Sequence, residues 1–232
     1  NIPVSFYKFF VSLLAAIKIK RLGISVIGIT GSYGKTSTKE FLSQILSLKY
    51  KVAKTPASVN TQLGIANLVL KKLNSSVDFF IAEIGAYKKG EIRNICRILK
   101  PKIGVITGLG NQHLELFGSL ENLKSAKYEL IESLPPDGIV ILDHSAISLK
   151  KMAETARKKI ENVYTIDVSR EVKNIKVSKT SLEFDYLNKI KSHFKANLSG
   201  SQHLTNLILS IKTANLLGLD SRLLKKAVSK LT

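Results

Sequence analysis

The stretch Ser25-Val-Ile-Gly-Ile-Thr-Gly-Ser-Tyr-Gly-Lys-Thr-Ser-Thr-Lys-Glu40 decides the fold of this chain. A run of strand-forming residues, 25–30, leads into a glycine-rich turn, after which Lys35 and Thr36 open an amphipathic helix. Free backbone N–H groups of such a turn and of the helix start point toward an anion. Lys35 can reach the β- and γ-phosphates of a nucleotide, and the Thr36 hydroxyl can bind Mg²⁺. The stretch therefore predicts a phosphate-binding loop.

The spacing of the glycines differs from the strict P-loop pattern. That pattern requires a glycine where this chain has Ile29, and the glycines lie three residues apart instead, at Gly28, Gly31 and Gly34. Gly-Lys-Thr alone also occurs in ordinary turns. The strand before it and the helix after it favour the nucleotide-binding interpretation.

Composition limits the class of protein. The 232 residues can form one large α/β domain, and the single cysteine, Cys96, excludes a disulfide scaffold and suits a reducing, cytoplasmic compartment. The net charge of +19 would suit polyanions, including nucleic acid. The lysines, however, are scattered singly and in pairs, and no arginine-rich run or aromatic-basic RNA motif occurs. We therefore expect no nucleic-acid partner, and a nucleic-acid-stimulated ATPase is kept only as an alternative.

Strand and helix patterns alternate along most of the chain, which predicts an α/β fold with a doubly wound, mostly parallel sheet. The apolar runs that predict strands lie at 25–30, 78–84, 103–109 and 138–143, with shorter ones at 51–55 and 163–167. The helical patterns between them lie near 35–48, 61–73, 90–99 and 119–133. From 172 to 198 the pattern changes to short antiparallel strands, a small β annex, before two closing helices near 202–217 and 221–231.

The opening segment, residues 1–22, is apolar and basic and is treated separately from a nucleotide-binding domain at 23–232. Six large apolar residues fall on one helical face of this segment: Phe6, Phe9, Phe10, Leu13, Leu14 and Ile17. Three interpretations are open: a helix at a membrane interface, part of a membrane anchor, or a helix that packs on its own domain.

Two side chains at predicted strand ends are candidate metal ligands. Glu83 ends an apolar strand, where a carboxylate must be paired or metal-bound, and the neighbouring phosphate loop favours Mg²⁺ over a simple capping role. His113 follows another strand, in a loop whose glycines Gly108 and Gly110 would allow close approach to a ligand. Lys127 lies 14 residues further on and, by its chemistry alone, is a solvated helix lysine.

These segments together resemble the central ATPase domain of the Mur ligases over roughly residues 25–231, and most closely the type that adds D-alanyl-D-alanine to a UDP-muramoyl peptide. Five blocks match in order and spacing. They are Gly28-Ile-Thr-Gly-Ser-Tyr-Gly-Lys-Thr-Ser-Thr-Lys-Glu40; Thr55-Pro-Ala-Ser-Val-Asn-Thr-Gln-Leu-Gly64; Ala82-Glu-Ile-Gly-Ala86 with Gly90-Glu-Ile92; the run from Pro101 through His113-Leu-Glu to Ala126-Lys-Tyr-Glu129; and Gly200–Asn206 before Leu217-Gly-Leu.

The resemblance implies roles for particular residues. ATP would be bound by Gly31, Ser32, Gly34, Lys35, Thr36 and Ser37, with Asn206 on the adenine side. Mg²⁺ would be bound by Thr36, Glu83, His113 and a carbamylated Lys127, and the catalytic residues would be Lys35, Lys127 and His113. Asn60 would lie toward the UDP-sugar substrate.

The activity that the resemblance implies is ATP-dependent amide ligation in peptidoglycan precursor synthesis, through an acyl phosphate. Its partners would be a UDP-muramoyl peptide and an amino dipeptide, in the cytoplasm or at the inner face of the membrane. The family's uridine-binding domain and C-terminal ligase domain are not expected within these residues. Altered blocks, Asp143–Ala146 and Gly200–Asn206, leave two alternatives open: another ligase of the superfamily (folylpolyglutamate or cyanophycin type), or a non-catalytic, membrane-tethered ATP-binding module.

Overall fold

A computed structural model describes residues 2–110, 117–144, 146–187 and 192–231, with only the backbone described at 2–4. Six strands form one parallel sheet in the order β2-β3-β1-β4-β5-β6, and three more form a small antiparallel sheet, β7-β8-β9. The predicted α/β fold with a small β annex is thus confirmed. The strands are β1 Ser25–Thr30, β2 Val52–Lys54, β3 Phe79–Glu83, β4 Ile103–Ile106, β5 Ile139–Asp143, β6 Asn162–Ile166, β7 Val172–Val177, β8 Leu182–Tyr186 and β9 Ser192–Ala196.

Helices cover both faces of the large sheet. Those of the described residues are α1 Ile2–Leu22, α2 Lys35–Leu46, α3 Gln62–Lys72, α4 Glu91–Leu99, α5 Leu120–Glu132, α6 Ile147–Ala156, α7 Val168–Glu171, α8 Leu204–Leu216 and α9 Ser221–Val228. A 3₁₀ turn, Ser201–His203, precedes α8. Helix α6 and the short α7 were not predicted from the sequence.

The alternation of side chains along β1 divides the core into two layers. Ile27 and Ile29 face a cluster built from α2, α8, α9 and the β annex. Val26 faces the opposite cluster, built from α1, α3, α4 and the α5 residue Leu130. Successive side chains of a strand point to opposite faces, so a strand that is buried on both sides must be apolar at nearly every position. This explains why the predicted strands appear in the sequence as continuous apolar runs.

The parallel register brings three strand ends to one edge. Strand β1 pairs with β3 on one side and β4 on the other, with Ile29 opposite Glu83 and Thr30 opposite Ile106. The carboxyl ends of parallel strands form the crevice in which α/β proteins bind ligands. The loop after β1, the end of β3 and the loop after β4 therefore meet at one place.

Helix α1 packs on the domain, but not through the face that the sequence pattern singled out. Val11, Ala15 and Ile19 are buried against α3 and α4, and Lys18 Nζ donates to the Leu70 carbonyl at 2.7 Å. The aromatic face points outward, with Phe6 69% exposed. In the part of the chain that the structure describes, no helix combines the length and apolar character needed to cross a bilayer.

Glu129 of α5 joins this helix to the start of α4. Its side chain is buried, and its two oxygens accept hydrogen bonds from the backbone N–H groups of Gly90, at 2.6 Å, and Arg93, at 3.0 Å. Both N–H groups belong to the first turn of α4 and lack partners within that helix. The carboxylate thereby caps α4 and holds α5 in place.

We expect Glu129→Gln to lower the free energy of unfolding by about 1–3 kcal/mol, because an amide NH₂ would face a buried N–H donor and leave it unsatisfied. Chemical denaturation of the protein measures this. The matched control is Glu132→Gln on the same helix, whose exposed pair with Arg93 should contribute little. Equal effects of the two substitutions would contradict the capping role of Glu129.

Candidate nucleotide-binding site

The loop between β1 and α2 has the backbone geometry of an anion cradle. Gly34 is the N-cap of α2 and has φ 80°, a left-handed conformation that favours glycine. A Cβ at this position would also collide with the side-chain oxygen of Asn206 in α8. Asn206 therefore lies directly against the loop. The N–H groups at the start of α2 have no partner within the helix and could bind an anion.

The loop is held in place by the segment that follows β4. Ser32 donates its backbone N–H to the Gly108 carbonyl at 2.9 Å and its hydroxyl to the Gly110 carbonyl at 3.2 Å. Thr107 Oγ1 donates to the Tyr33 carbonyl at 2.5 Å. A Cβ at Gly108 would collide with the Tyr33 ring. Gly108 therefore gives space to the Tyr33 ring, and the approach of a ligand to this loop stays a prediction.

Lys35 lies over the loop that precedes it. Its Nζ donates to the carbonyls of Gly31, at 3.0 Å, and Ser32, at 3.3 Å. Burial lowers the pKa of Lys35, and the carboxylate of Glu83 partly opposes that shift. A cation that is partly stripped of water interacts more strongly with an incoming anion than a fully hydrated cation does.

Glu83 joins the end of β3 to the first turns of α2. Its two oxygens accept from Thr36 Oγ1 at 3.1 and 3.0 Å, and Oε2 accepts from Lys39 Nζ at 3.1 Å. The Lys39 side chain is fully buried. Its ammonium also lies 3.6 Å from Glu40, so this buried charge is compensated from two sides.

Lys39 was not predicted from the sequence. It lies four residues after Lys35 in the same helix, and residues at that spacing share a face. That spacing is the signal that could have identified it.

Lys127 of α5 is buried, so its interpretation as a solvated helix lysine is wrong. Burial, followed by the nearby charge of Lys35, lowers the pKa of Lys127 to about 8. Its Nζ lies 5.7 Å from the ring centroid of Phe117. A lysine with such a pKa has about a tenth of its amine neutral at pH 7, whereas an ordinary lysine is almost wholly charged.

One cavity connects most of these groups. It is lined by Gly31, Ser32, Lys35, Asn60, Gly85, Ala86, Tyr87, Phe117, Leu123 and Lys127. Asn60 accepts the Gly85 N–H at 3.2 Å through its backbone carbonyl. A second cavity shares Asn60, Gly85 and Tyr87 with the first and extends to Lys8 of α1. The space around the loop therefore continues into a neighbouring cleft whose lining includes the polar residues Lys8, Gln62 and Glu91.

The residues present fit a nucleotide with Mg²⁺. The loop supplies backbone donors, and Lys35 supplies the positive charge that phosphates require. The Thr36 hydroxyl and the Glu83 carboxylate are oxygen donors of the kind that Mg²⁺ prefers, together with phosphate oxygens and water. Within the described ranges, which leave out His113, no three His, Cys, Asp or Glu side chains cluster as a metal site.

The other predicted site residues have different positions. Ser37 lies in the first turn of α2 and is partly buried. Asn206 lies beside Gly34, on the side of the loop that α8 covers. His113 lies outside the described residues, so its proposed metal and catalytic roles stay predictions.

Comparison with known families and proteins identifies relatives of this chain. Residues 29–214 match the family model of the Mur ligase middle domain. UDP-N-acetylmuramoyl-tripeptide--D-alanyl-D-alanine ligase of Bacillus subtilis is 38% identical over 128 residues, which cover 55% of this chain and 28% of the relative. The enzyme of the same name from Borreliella burgdorferi is 28% identical over 216 residues, 93% of this chain and 46% of the relative. The chain thus spans less than half the length of these curated relatives.

Solved structures agree with this relationship. MurF from Acinetobacter baumannii superposes with a TM-score of 0.89 at 24% identity, over 97% of this chain and 50% of that chain, which shows a shared fold. MurF ligase from Thermotoga maritima, solved in complex with ADP, superposes with a TM-score of 0.84 at 27% identity, over 97% of this chain and 52% of that chain. With the family model matched over most of its length, the chain belongs to the Mur ligase family and contains its middle domain.

Proposed function

We propose that the full-length protein is an ATP-dependent ligase that joins D-alanyl-D-alanine to a UDP-muramoyl tripeptide. The observation that supports this most strongly is the single cavity lined by the phosphate loop, Lys35, Asn60 and Lys127, with Glu83 bonded to Thr36 beside it. The substrate class follows the printed names of the relatives. Because this chain spans less than half of those relatives, further parts of the full-length protein would supply the remaining substrate contacts.

Lys35 and the loop would bind and orient the phosphates of ATP. Their preorganisation supports this, because the loop is held by hydrogen bonds to the segment after β4 rather than by a ligand. Donors that are in place beforehand need no reorganisation when negative charge develops. When bound, ATP would supply its γ-phosphate to a substrate carboxylate with ADP as the leaving group, and an incoming amine would then displace phosphate and lose a proton to give the amide.

Thr36 and Glu83 would bind Mg²⁺, and His113 remains a predicted ligand. The Glu83 carboxylate is already oriented toward Thr36 at the end of β3, and Lys39 restricts it further through the same oxygen, Oε2. The side chain therefore loses little conformational freedom on binding a metal ion.

Lys127 would act as its carbamate. The neutral Nζ attacks the carbon of CO₂, one proton passes to solvent, and the product is an anionic oxygen ligand in place of a cation. The pKa of about 8 makes the neutral amine accessible near neutral pH. The change of sign also removes the repulsion between Lys127 and Lys35, and it would add a further oxygen ligand for metal to those of Thr36 and Glu83.

The remaining substrate contacts would follow the two cavities. Asn60 lies where the phosphate cavity meets the cleft that reaches Lys8, so we assign it to the acceptor substrate. Asn206 lies against Gly34, so we assign it to the adenine side of the nucleotide. Because ATP and UDP-linked precursors are cytoplasmic, we place the reaction in the cytoplasm.

A substrate assay tests this function directly. The full-length protein is incubated with ATP, Mg²⁺, UDP-muramoyl tripeptide and D-alanyl-D-alanine, and the expected result is a pentapeptide product by mass spectrometry with one phosphate released per amide formed. Folate with glutamate is the comparison substrate pair. Product from the folate pair, or ATP hydrolysis without any amide product, would contradict the assignment.

We expect Lys35→Ala to reduce ATP turnover by the full-length protein at least about 100-fold, since it removes a preorganised cation from the developing phosphate charge. Phosphate release measures turnover. Lys51→Ala, at an exposed lysine after α2, is the matched control and should retain activity. An unaltered melting temperature would confirm that the fold of the Lys35 variant is intact, and unchanged turnover would refute the role of Lys35.

Lys127→Ala should likewise be inactive and should regain part of its activity with acetate or formate, which replace the missing carboxylate. Removal of CO₂ should lower wild-type activity, and bicarbonate should restore it. Lys124→Ala is the control, because Lys124 lies on the same helix and pairs with Glu121 at the surface. Wild-type activity of the Lys127 variant would exclude the carbamate.

A further inference from the structure

The outward face of α1 is unusually apolar. We call Phe6, Phe9, Phe10, Leu13, Leu14 and Ile17 the aromatic face. All six side chains are exposed, with Phe6 and Phe9 at 69% and 66%. Because α1 already packs on the domain through its opposite side, folding of the described residues leaves this face uncovered. Contiguous apolar patches of this kind mark interaction surfaces.

Cations lie beside the aromatic face from its middle to its carboxyl-terminal end. A groove beside Phe9 and Leu13 is also lined by Arg97 of α4. A second groove beside Ile17 is lined by Lys20, Lys100 and Lys102. We call the following cations the basic rim: Lys20, Arg21, Arg97, Lys100 and Lys102.

The basic rim lacks compensating charge. All five side chains belong to exposed residues, and none forms an ion pair with a carboxylate of the described residues. The carboxylate of Asp78, which precedes β3, accepts a hydrogen bond from the Lys51 backbone N–H at 2.8 Å and forms no ion pair with a cation of the rim. Five uncompensated cations beside an apolar stripe form a surface that is complementary to an anionic, amphipathic partner.

We propose that this surface docks on an anionic phospholipid bilayer. The aromatic face would lie at the boundary between headgroups and acyl chains, and the basic rim would contact the lipid phosphates. In a bilayer, anionic headgroups lie next to apolar acyl chains over an extended plane. The basic rim and the aromatic face lie next to each other in the same way, so a bilayer matches this surface better than a protein partner does. The proposal goes beyond the ligase activity and does not depend on it.

The basic rim lies away from the phosphate loop. Helix α1 ends just before β1, and Lys100 and Lys102 lie just before β4, so the basic rim lies at the amino-terminal edge of the sheet. The phosphate loop lies at the carboxyl-terminal edge, after β1. The basic rim and the phosphate loop are therefore at opposite ends of the strands, whereas the start of α1 reaches, through Lys8, the cleft beside the phosphate cavity.

Vesicle flotation of the full-length protein tests the proposal. The probes are vesicles of phosphatidylcholine alone and of phosphatidylcholine with phosphatidylglycerol. We expect binding to the anionic vesicles only, with a loss on raising the salt concentration. Absence of binding to anionic vesicles at low salt would overturn the proposal, including the case in which another part of the full-length protein covers α1. Equal binding to both vesicle types would overturn the role of the rim.

Substitution of the aromatic face separates lipid insertion from simple charge attraction. The triple variant Phe6→Ser, Phe9→Ser and Phe10→Ser should weaken binding to anionic vesicles at least about tenfold, because it removes the inserted side chains. The double variant Ile147→Ser and Ile175→Ser alters apolar residues exposed elsewhere and should bind as wild type does. Circular dichroism checks that both variants fold. Unchanged binding of the triple variant would overturn the proposal.

Substitution of the basic rim tests the electrostatic part. Lys20→Gln, Arg97→Gln and Lys102→Gln together should also weaken binding at least about tenfold, since each cation near an anionic membrane contributes to affinity. The control variant makes the same change in net charge at Lys158, Lys159 and Lys226, which lie away from α1. Equal losses in both variants would show attraction by net charge alone and would overturn the assigned surface.

Discussion

The rest of the site depends on the hydrogen bonds and the ion pair that the buried carboxylate of Glu83 makes with helix α2. Glu83 lies at the end of β3, yet its partners, Thr36 and Lys39, belong to α2. A buried carboxylate is costly unless it is paired and hydrogen-bonded. This requirement ties the start of α2 to β3, and with it the loop that precedes α2. Glu83 therefore positions the phosphate loop and would also provide a metal ligand.

The charges around the cavity are unbalanced. Lys35 and Lys127 both line it, and Lys39 is already paired with Glu83. Burial lowers the pKa of Lys35 and of Lys127, and the charge of Lys35 lowers that of Lys127 further. Added negative charge would stabilise such a site, and either a bound polyphosphate or the carbamylation of Lys127 would add it. The same imbalance explains why a nucleotide would bind here despite the modest size of the cavity.

The local pattern of apolar and polar residues was enough to predict much of the fold and part of the candidate site. The continuous apolar runs predicted the strands because parallel strands are buried on both faces, and Glu83 was found because it ends such a run. The residue type of Lys127 alone gave a wrong interpretation. Its side chain is buried by Phe117 and the phosphate loop, and neither contact can be predicted from the helix that carries it. The sequence left the direction of the aromatic face open for a related reason. Small residues such as Ala15 allow close packing against α3 and α4, and that contact is not visible in the spacing of the large residues.

By itself, the sequence determined the strand–loop–helix order and the glycines of the loop, since these depend on residues that are close along the chain. It also determined the family resemblance, which depends on the order and spacing of short blocks and not on contacts between them. Only the tertiary structure decided that Lys39 is paired with Glu83, that Gly108 accommodates Tyr33 and that Asn206 lies against Gly34. These contacts join residues that are far apart along the chain, 44 positions in the case of Lys39 and Glu83. The physical reason is that burial and pairing depend on which elements the sheet register brings together, and that register is set by the packing of the whole domain.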